Sequence, residues 1–193
     1  MSTRITLLSI DEAKAAATKA DIPAPKYAAS IYRLLLHHPE LAKRINDLVE
    51  TLLAADNLAP DIRELMIMRI GWWNEGVYEW TQHWRIAQQL GLDMSDLLAV
   101  RDWSSHQHWS SAQVVALTVT DEILSTGVVS DSTWDALSQI WPTEREQLEL
   151  LATVGTWKMI SDMLKCLKLP LEEGLAPWPP DGISPSAHEH RSA

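Results

Sequence analysis

Phenylalanine is absent from this 193-residue sequence, and cysteine occurs once, at Cys166. A single cysteine excludes an intrachain disulfide, a CxxC redox pair and a cysteine-based zinc site. Basic runs are also missing, and the formal net charge is −10. A nucleic-acid partner would need a positive footprint, so none is expected. No apolar stretch approaches the roughly 18 residues of a membrane span, and none is expected. Met1–Asp11 lacks the charged-then-apolar pattern of a secretory leader, which points to a cytoplasmic location. There is no glycine-rich phosphate loop and no internal repeat. What the chain has instead is tryptophan, ten residues of it. An indole buries a large apolar area yet keeps an N–H that needs a partner, so this excess fits an interface or an aromatic-lined pocket.

The periodicity predicts an all-α domain of about eight helices over residues 1–172, with no strand-like alternation. Ser9 and Glu12 have the spacing of a capping box and open an Ala-rich helix to about Ala20. Tyr27–Leu36 and Pro39–Ala55 read as the next helices, and Pro60 starts another. Gly71 is expected to mark a break in that helix or a tight passage. A long helix should begin around Asn74–Gly76 and end near Leu90, with Gly91 closing it. Met94–Val100 and Ser111–Leu124 are helical, with an ordered loop between them. Ser132 with Asp135, and Thr143 with Glu146, look like caps of the last two helices, the second running to Leu169 before Pro170. Residues 173–193, rich in Pro, Gly, Ser and His, are expected to form a mobile tail. His188 and His190 within it carry no expectation of a metal site.

The chemically informative block runs from Arg63 to His83. Glu79 and His83 are four residues apart on one helix, so their side chains share a face. Val77, Trp80, Trp84 and Ala87 form an apolar stripe beside them, which places the pair at the border of the core. A carboxylate beside an imidazole suits proton transfer. Either Glu79 orients the ring and His83 moves the proton, or burial raises the Glu79 carboxyl and Glu79 carries it. Gly76, one turn before Glu79, leaves room for a ligand or a close helix. A metal held by His83, Glu79 and a loop histidine (His106 or His108) is not selected by any spacing.

This block, with Arg85–Ala87 and Gly91, resembles the signature of the carboxymuconolactone decarboxylase-like family, which includes the AhpD-like alkylhydroperoxidases. The likeness runs over roughly residues 30 to 170. In the redox branch a glutamate, two cysteines and a histidine match Glu64, Gly76, Glu79 and His83. Dithiol–disulfide exchange needs two sulfurs in contact, and both are missing at these positions. The resemblance is therefore to the non-redox branch, whose namesake decarboxylates an acidic lactone without metal or organic cofactor.

That resemblance implies a cofactor-free lyase with no metal site, taking a lactone, aromatic or keto-acid substrate. It gives proton transfer to His83 and Glu79, with Glu64 as a third candidate. Arg69, Trp72, Trp73, Asn74 and Trp80 are the expected substrate-binding residues, although Trp72 and Trp73 cannot face the same way on a helix. A homo-oligomer, trimer or hexamer, is implied as well. Isomerisation or hydration would need the same acid–base pair. The rival reading is a non-catalytic helical interaction protein that keeps the fold.

Overall fold

The computed structural model describes residues 3–54 and 57–185. Among these, nine α-helices form and no strand does: α1 (Ile10–Lys19), α2 (Ser30–Leu35), α3 (Pro39–Ala54), α4 (Pro60–Trp73), α5 (Val77–Gln89), α6 (Met94–Ala99), α7 (Ser111–Thr126), α8 (Asp131–Ile140) and α9 (Glu144–Leu167). The fold is thus all-α, as the periodicity predicts. No helix of the described residues is long and apolar enough to cross a membrane.

The chain divides into two compact units, residues 1–55 with 163–175 and residues 56–162 with 176–193. In the first, the Ser9–Glu12 capping box forms reciprocally at the start of α1. Ala13, Ala17, Leu35, Leu36 and Ala42 build its core. The helix expected over Tyr27–Leu36 is two pieces, a short 3-10 turn (Lys26–Ala28) and α2, because Ala29 between them is extended with ψ 143°. Cys166 is exposed here.

The second unit holds the chemically informative block. Its centre is α4, in which every residue from Ile62 to Trp72 is buried. A helix enclosed on all sides needs apolar residues all round, and Leu65, Met66, Ile67, Met68 and Ile70 supply them. The polar members, Arg63, Glu64 and Arg69, must find partners there, because a buried charge is tolerated only when it is compensated. Of the two roles expected of Gly71, a break or a tight passage, the structure shows the second: it does not break α4. It lies inside the helix, and a Cβ built on it would meet the Trp80 backbone N at 3.2 Å. Its role is close approach between α4 and α5, not termination.

The turn itself comes three residues later. Glu75 adopts φ +52°, and the Gly76 N–H donates to the Gly71 carbonyl at 2.8 Å, a left-handed closure that folds α5 back along α4. Asn74 Nδ2 donates to Asp162 Oδ1 on α9 at 3.0 Å and ties down the same turn. At the far end of α5, Gly91 takes φ +71° as the sequence predicts. The loop expected over Arg101–Ser111 contains helical turns at Val100–Ser105. Ser130, not Ser132, caps α8, its hydroxyl accepting from Thr133 N. Glu122 on α7 holds Ser130 and Thr133 and so fixes which serine caps. The Thr143–Glu146 pair caps α9 as expected.

Tryptophans fill the wedge beside α4 and α5. Trp72, Trp80 and Trp84 are buried with Leu65, Met68, Leu97 and Leu117. Trp80 and Trp84 stack at 6.3 Å between centroids with 19° between planes. Trp178 sits 6.0 Å from Trp72 and 6.1 Å from Trp80. Trp80 Nε1 donates to the Pro179 carbonyl at 2.8 Å. The Arg101 guanidinium lies 4.8 Å above Trp72 and 4.9 Å above Trp80 and pairs bidentately with Asp181 at 2.7 and 3.0 Å. That pairing holds the Asp181 carboxyl down to about 2. His188 and His190 lie outside the described residues.

Candidate functional site

α4 and α5 bring Glu64, Glu79 and His83 together, and all three are buried. His83 Nδ1 is 2.7 Å from Glu64 Oε2, a charge-assisted hydrogen bond across the two helices. On the opposite edge of the ring, His83 Nε2 is 3.7 Å from Glu79 Oε2, one helical turn earlier on α5. The i, i+4 geometry is the one the sequence predicts, and Glu64 adds the second carboxylate.

A further residue completes the ring's environment. Trp157, from α9, donates its indole N–H to His83 Nε2 at 2.9 Å and stands edge-on to the imidazole. Sequence reasoning did not single it out. An indole nitrogen can only donate, so Nε2 must present a lone pair to it, and the ring's proton is on Nδ1, facing Glu64. Burial works against charging His83, but Glu64's charge and hydrogen bond, with Glu79's charge, outweigh it and raise the ring's proton affinity. The Trp157 N–H opposes those carboxylates at Nε2. Among the described residues, no such donor holds the charge of Glu79. Burial, aided by the neighbouring Glu64 carboxylate and partly offset by His83, pushes its carboxyl up to about 7.

Two buried groups at the edge of this cluster lack hydrogen-bond partners among the described residues, Arg63 Nε and Glu64 Oε1. They stand 3.7 Å apart, too far for a hydrogen bond but close enough for the guanidinium to offset Glu64's charge. The buried hydroxyl of Ser161, one turn beyond Trp157, is likewise without a partner.

At Gly76, α9 comes close. A Cβ built there would lie 2.6 Å from Ser161 Oγ and 3.7 Å from the Glu79 Cβ. The room left by the missing side chain is thus taken by a helix. The second distance falls in the Cβ–Cβ range of a disulfide, about 3.5–4.5 Å. The scaffold therefore keeps the geometry of a dithiol site while carrying neither thiol. A Gly76→Cys, Glu79→Cys, Ser161→Ala variant is expected to form an internal disulfide under mild oxidation. Free-thiol titration checks this: only Cys166 should remain reactive.

The remaining expected site residues lie apart from this cluster in their contacts. Arg69 pairs bidentately with Asp121 at 2.7 and 2.8 Å, donates to the Val100 carbonyl at 2.9 Å, and lies 5.3 Å from the Trp73 ring. That arrangement occupies its fork with protein groups. Arg69→Met is expected to cost about 2–3 kcal/mol in urea unfolding, since it leaves Asp121 without its cationic partner and with only the Trp103 indole N–H as donor. Trp72 and Trp80 are core residues, and Trp73 is half-buried and turned another way, as a helix requires. Asn74 is engaged by Asp162. His106 stands 3.5 Å from Asp96. No group of three or more His, Cys, Asp or Glu among the described residues is arranged to hold a metal. A cavity of about 270 Å³ in the same unit is lined by Asp61, Leu65, Asp93, Asp96, Leu97 and Gln113 among others, and by none of the candidate catalytic residues.

The model of the carboxymuconolactone decarboxylase family matches residues 39–122, which include Glu64, Gly76, Glu79 and His83. Among solved structures, the chain is similar to an uncharacterized peroxidase-related protein from Silicibacter sp. TM1040, with 13% identity, 89% of this chain and 92% of that one covered, and a TM-score of 0.72. It is similar to the alkylhydroperoxidase AhpD core protein of Ralstonia eutropha JMP134, also peroxidase-related, at 13% identity, with 89% and 93% covered and a TM-score of 0.71. The debrominase Bmp8, solved with 2,3,4-tribromopyrrole, is similar at 14% identity, with 90% and 94% covered and a TM-score of 0.68. No curated protein sequence matches the chain significantly. The chain has the carboxymuconolactone decarboxylase/AhpD-like family fold.

Proposed function

We propose that the chain is a lyase-type enzyme that works by general acid–base chemistry, without a cofactor, on a lactone, aromatic or keto-acid substrate. The observation that carries this reading is the buried Glu64–His83–Glu79 constellation, in which one carboxyl is poised near neutral pH and the other fixes the imidazole. A decarboxylation of this class breaks the bond to the departing carboxylate and sends its electron pair into the substrate's own carbonyl. The enolate then takes a proton at carbon, and a carboxylic acid near pH 7 is a suitable donor. Arg63, buried and with Nε unpartnered among the described residues, supports a substrate that presents an anionic oxygen. Peroxidase chemistry by thiol exchange is disfavoured by glycine and glutamate at positions 76 and 79.

The test is a panel of lactones, aromatic acids and β-keto acids, with carbon dioxide release as readout, on the wild type, Glu79→Gln and His83→Ala. Each variant is expected to lose about 10²- to 10⁴-fold in turnover. Unchanged turnover in both sinks the assignment. Activity abolished by a chelator and restored by one metal overturns its cofactor-free part. The rival, an interaction protein keeping this fold, is favoured by the near-complete burial of the pair. It predicts no turnover on any of the panel. A homo-oligomer, checked by light scattering, fits either reading.

A further inference from the structure

Glu64, Glu79, His83 and Arg63 form a buried group whose charge can be arranged in two ways of equal net charge. In one, Glu64 is anionic, Arg63 cationic, Glu79 protonated and His83 neutral. In the other, the Glu79 proton has moved to His83 Nε2, giving two carboxylates, an imidazolium and the guanidinium. Both sum to zero, so the transfer changes no net charge in the core, although it buries two further formal charges whose desolvation must be offset by their mutual attraction. Beyond that balance, what separates the two states is local, and it sits at Nε2.

We propose that Trp157 is the positioning residue that decides where this proton rests: its indole N–H occupies the His83 Nε2 lone pair and keeps the proton on Glu79. The Trp157 Nε1 to His83 Nε2 distance is 2.9 Å, whereas Glu79 Oε2 stands 3.7 Å from the same nitrogen. Both donors compete for one acceptor, and the indole is the one in hydrogen-bond range. Because indole neither accepts nor releases a proton at working pH, it locks the ring as the Nδ1–H tautomer, with that proton held by Glu64 Oε2 at 2.7 Å. The groups facing the ring are Arg63 and Glu64 from α4, Glu79 from α5 and Trp157 from α9. Of these, both carboxylates favour the imidazolium. Trp157 thus holds His83 against its electrostatic preference, and withdrawing the indole by a small rotation would let the Glu79 proton cross to Nε2.

This inference deepens the acid–base reading above and rests on it for its catalytic meaning, but its test is independent of turnover. Histidine labelled with ¹⁵N in the full chain reports each ring nitrogen, with the His83 signals assigned by their loss in His83→Ala. At pH 7 the wild type is expected to show His83 Nε2 bare and Nδ1 protonated. Trp157→Phe, which keeps a ring but removes the N–H, should show both nitrogens protonated at the same pH. Benzothienylalanine at position 157 keeps the bicyclic shape and replaces N–H by sulfur; it should behave as Trp157→Phe does and serves if the phenylalanine variant fails to fold. A doubly protonated His83 in the wild type overturns the proposal, and so does a neutral ring in the benzothienylalanine protein. If the ring states come out as expected and no substrate turns over, the tautomer lock stands and the enzymatic reading falls.

Discussion

Replacing Glu64 by leucine is expected to lower the free energy of unfolding by about 3–5 kcal/mol, the cost of removing one partner from a buried ionic group. The reason is specific to its place. Glu64 has no solvent exposure, accepts the Nδ1 hydrogen bond of His83, and is the carboxylate 3.7 Å from the buried Arg63. Leucine would leave the imidazole N–H without an acceptor and the guanidinium without compensation in one step. Glu64→Gln keeps an acceptor for Nδ1 and loses only the charge, so it should cost less than half as much. Urea unfolding at pH 7 for the two variants checks the order. Equal and small losses for both would mean that Glu64 is not the charge the cluster depends on.

The second large effect is on pH dependence. Glu79 has an ordinary value of 4.5 in the unfolded chain and is pushed to about 7 in the folded one, chiefly by burial. Between those values the folded state holds a proton that the unfolded state has released. Stability from this group is therefore complete below about pH 4.5 and is lost as pH rises through 7. At about 1.4 kcal/mol per pKa unit, the total loss is about 3 kcal/mol. The carboxyls held below their ordinary values, such as Glu122 and Glu146, act in the opposite sense and only at lower pH. Glu79→Gln should flatten the profile between pH 5 and 8 and leave the variant more stable than the wild type at pH 8. Chemical denaturation across that range is the measurement, and a wild-type midpoint independent of pH would contradict the assignment.

How much of this could be read in the chain depends on sequence distance. The Glu79–His83 pair is legible because a helix repeats every 3.6 residues, so four-residue spacing dictates a shared face. Glu64 needs more, since it lies 19 positions from His83 and reaches it only after the turn at Glu75 folds α5 back. The family resemblance supplied that link. Trp157 had no comparable signal. It is 74 positions from His83, on a helix whose pattern reads as ordinary packing. Gly71 reads two ways for a related reason: a glycine that ends a helix and one that admits a neighbouring backbone look identical in sequence. Trp72 and Trp80 were expected at a pocket wall as part of the tryptophan excess. They are core residues, Trp80 with its N–H taken up by Pro179.

The contacts of Trp178, Pro179 and Asp181 with Trp72, Trp80 and Arg101 have a consequence for ligand measurements. These residues are covalently attached to the surface they occupy, so they act as a tethered ligand. A tether of modest length maintains an effective concentration that reaches the millimolar range for short flexible linkers, and contacts too weak to hold a free peptide can then remain nearly saturated. A planar compound added to compete for the same indole faces meets that concentration first. Its apparent affinity is lowered by the occupancy of the chain's own segment, even where its intrinsic fit to the indoles is good.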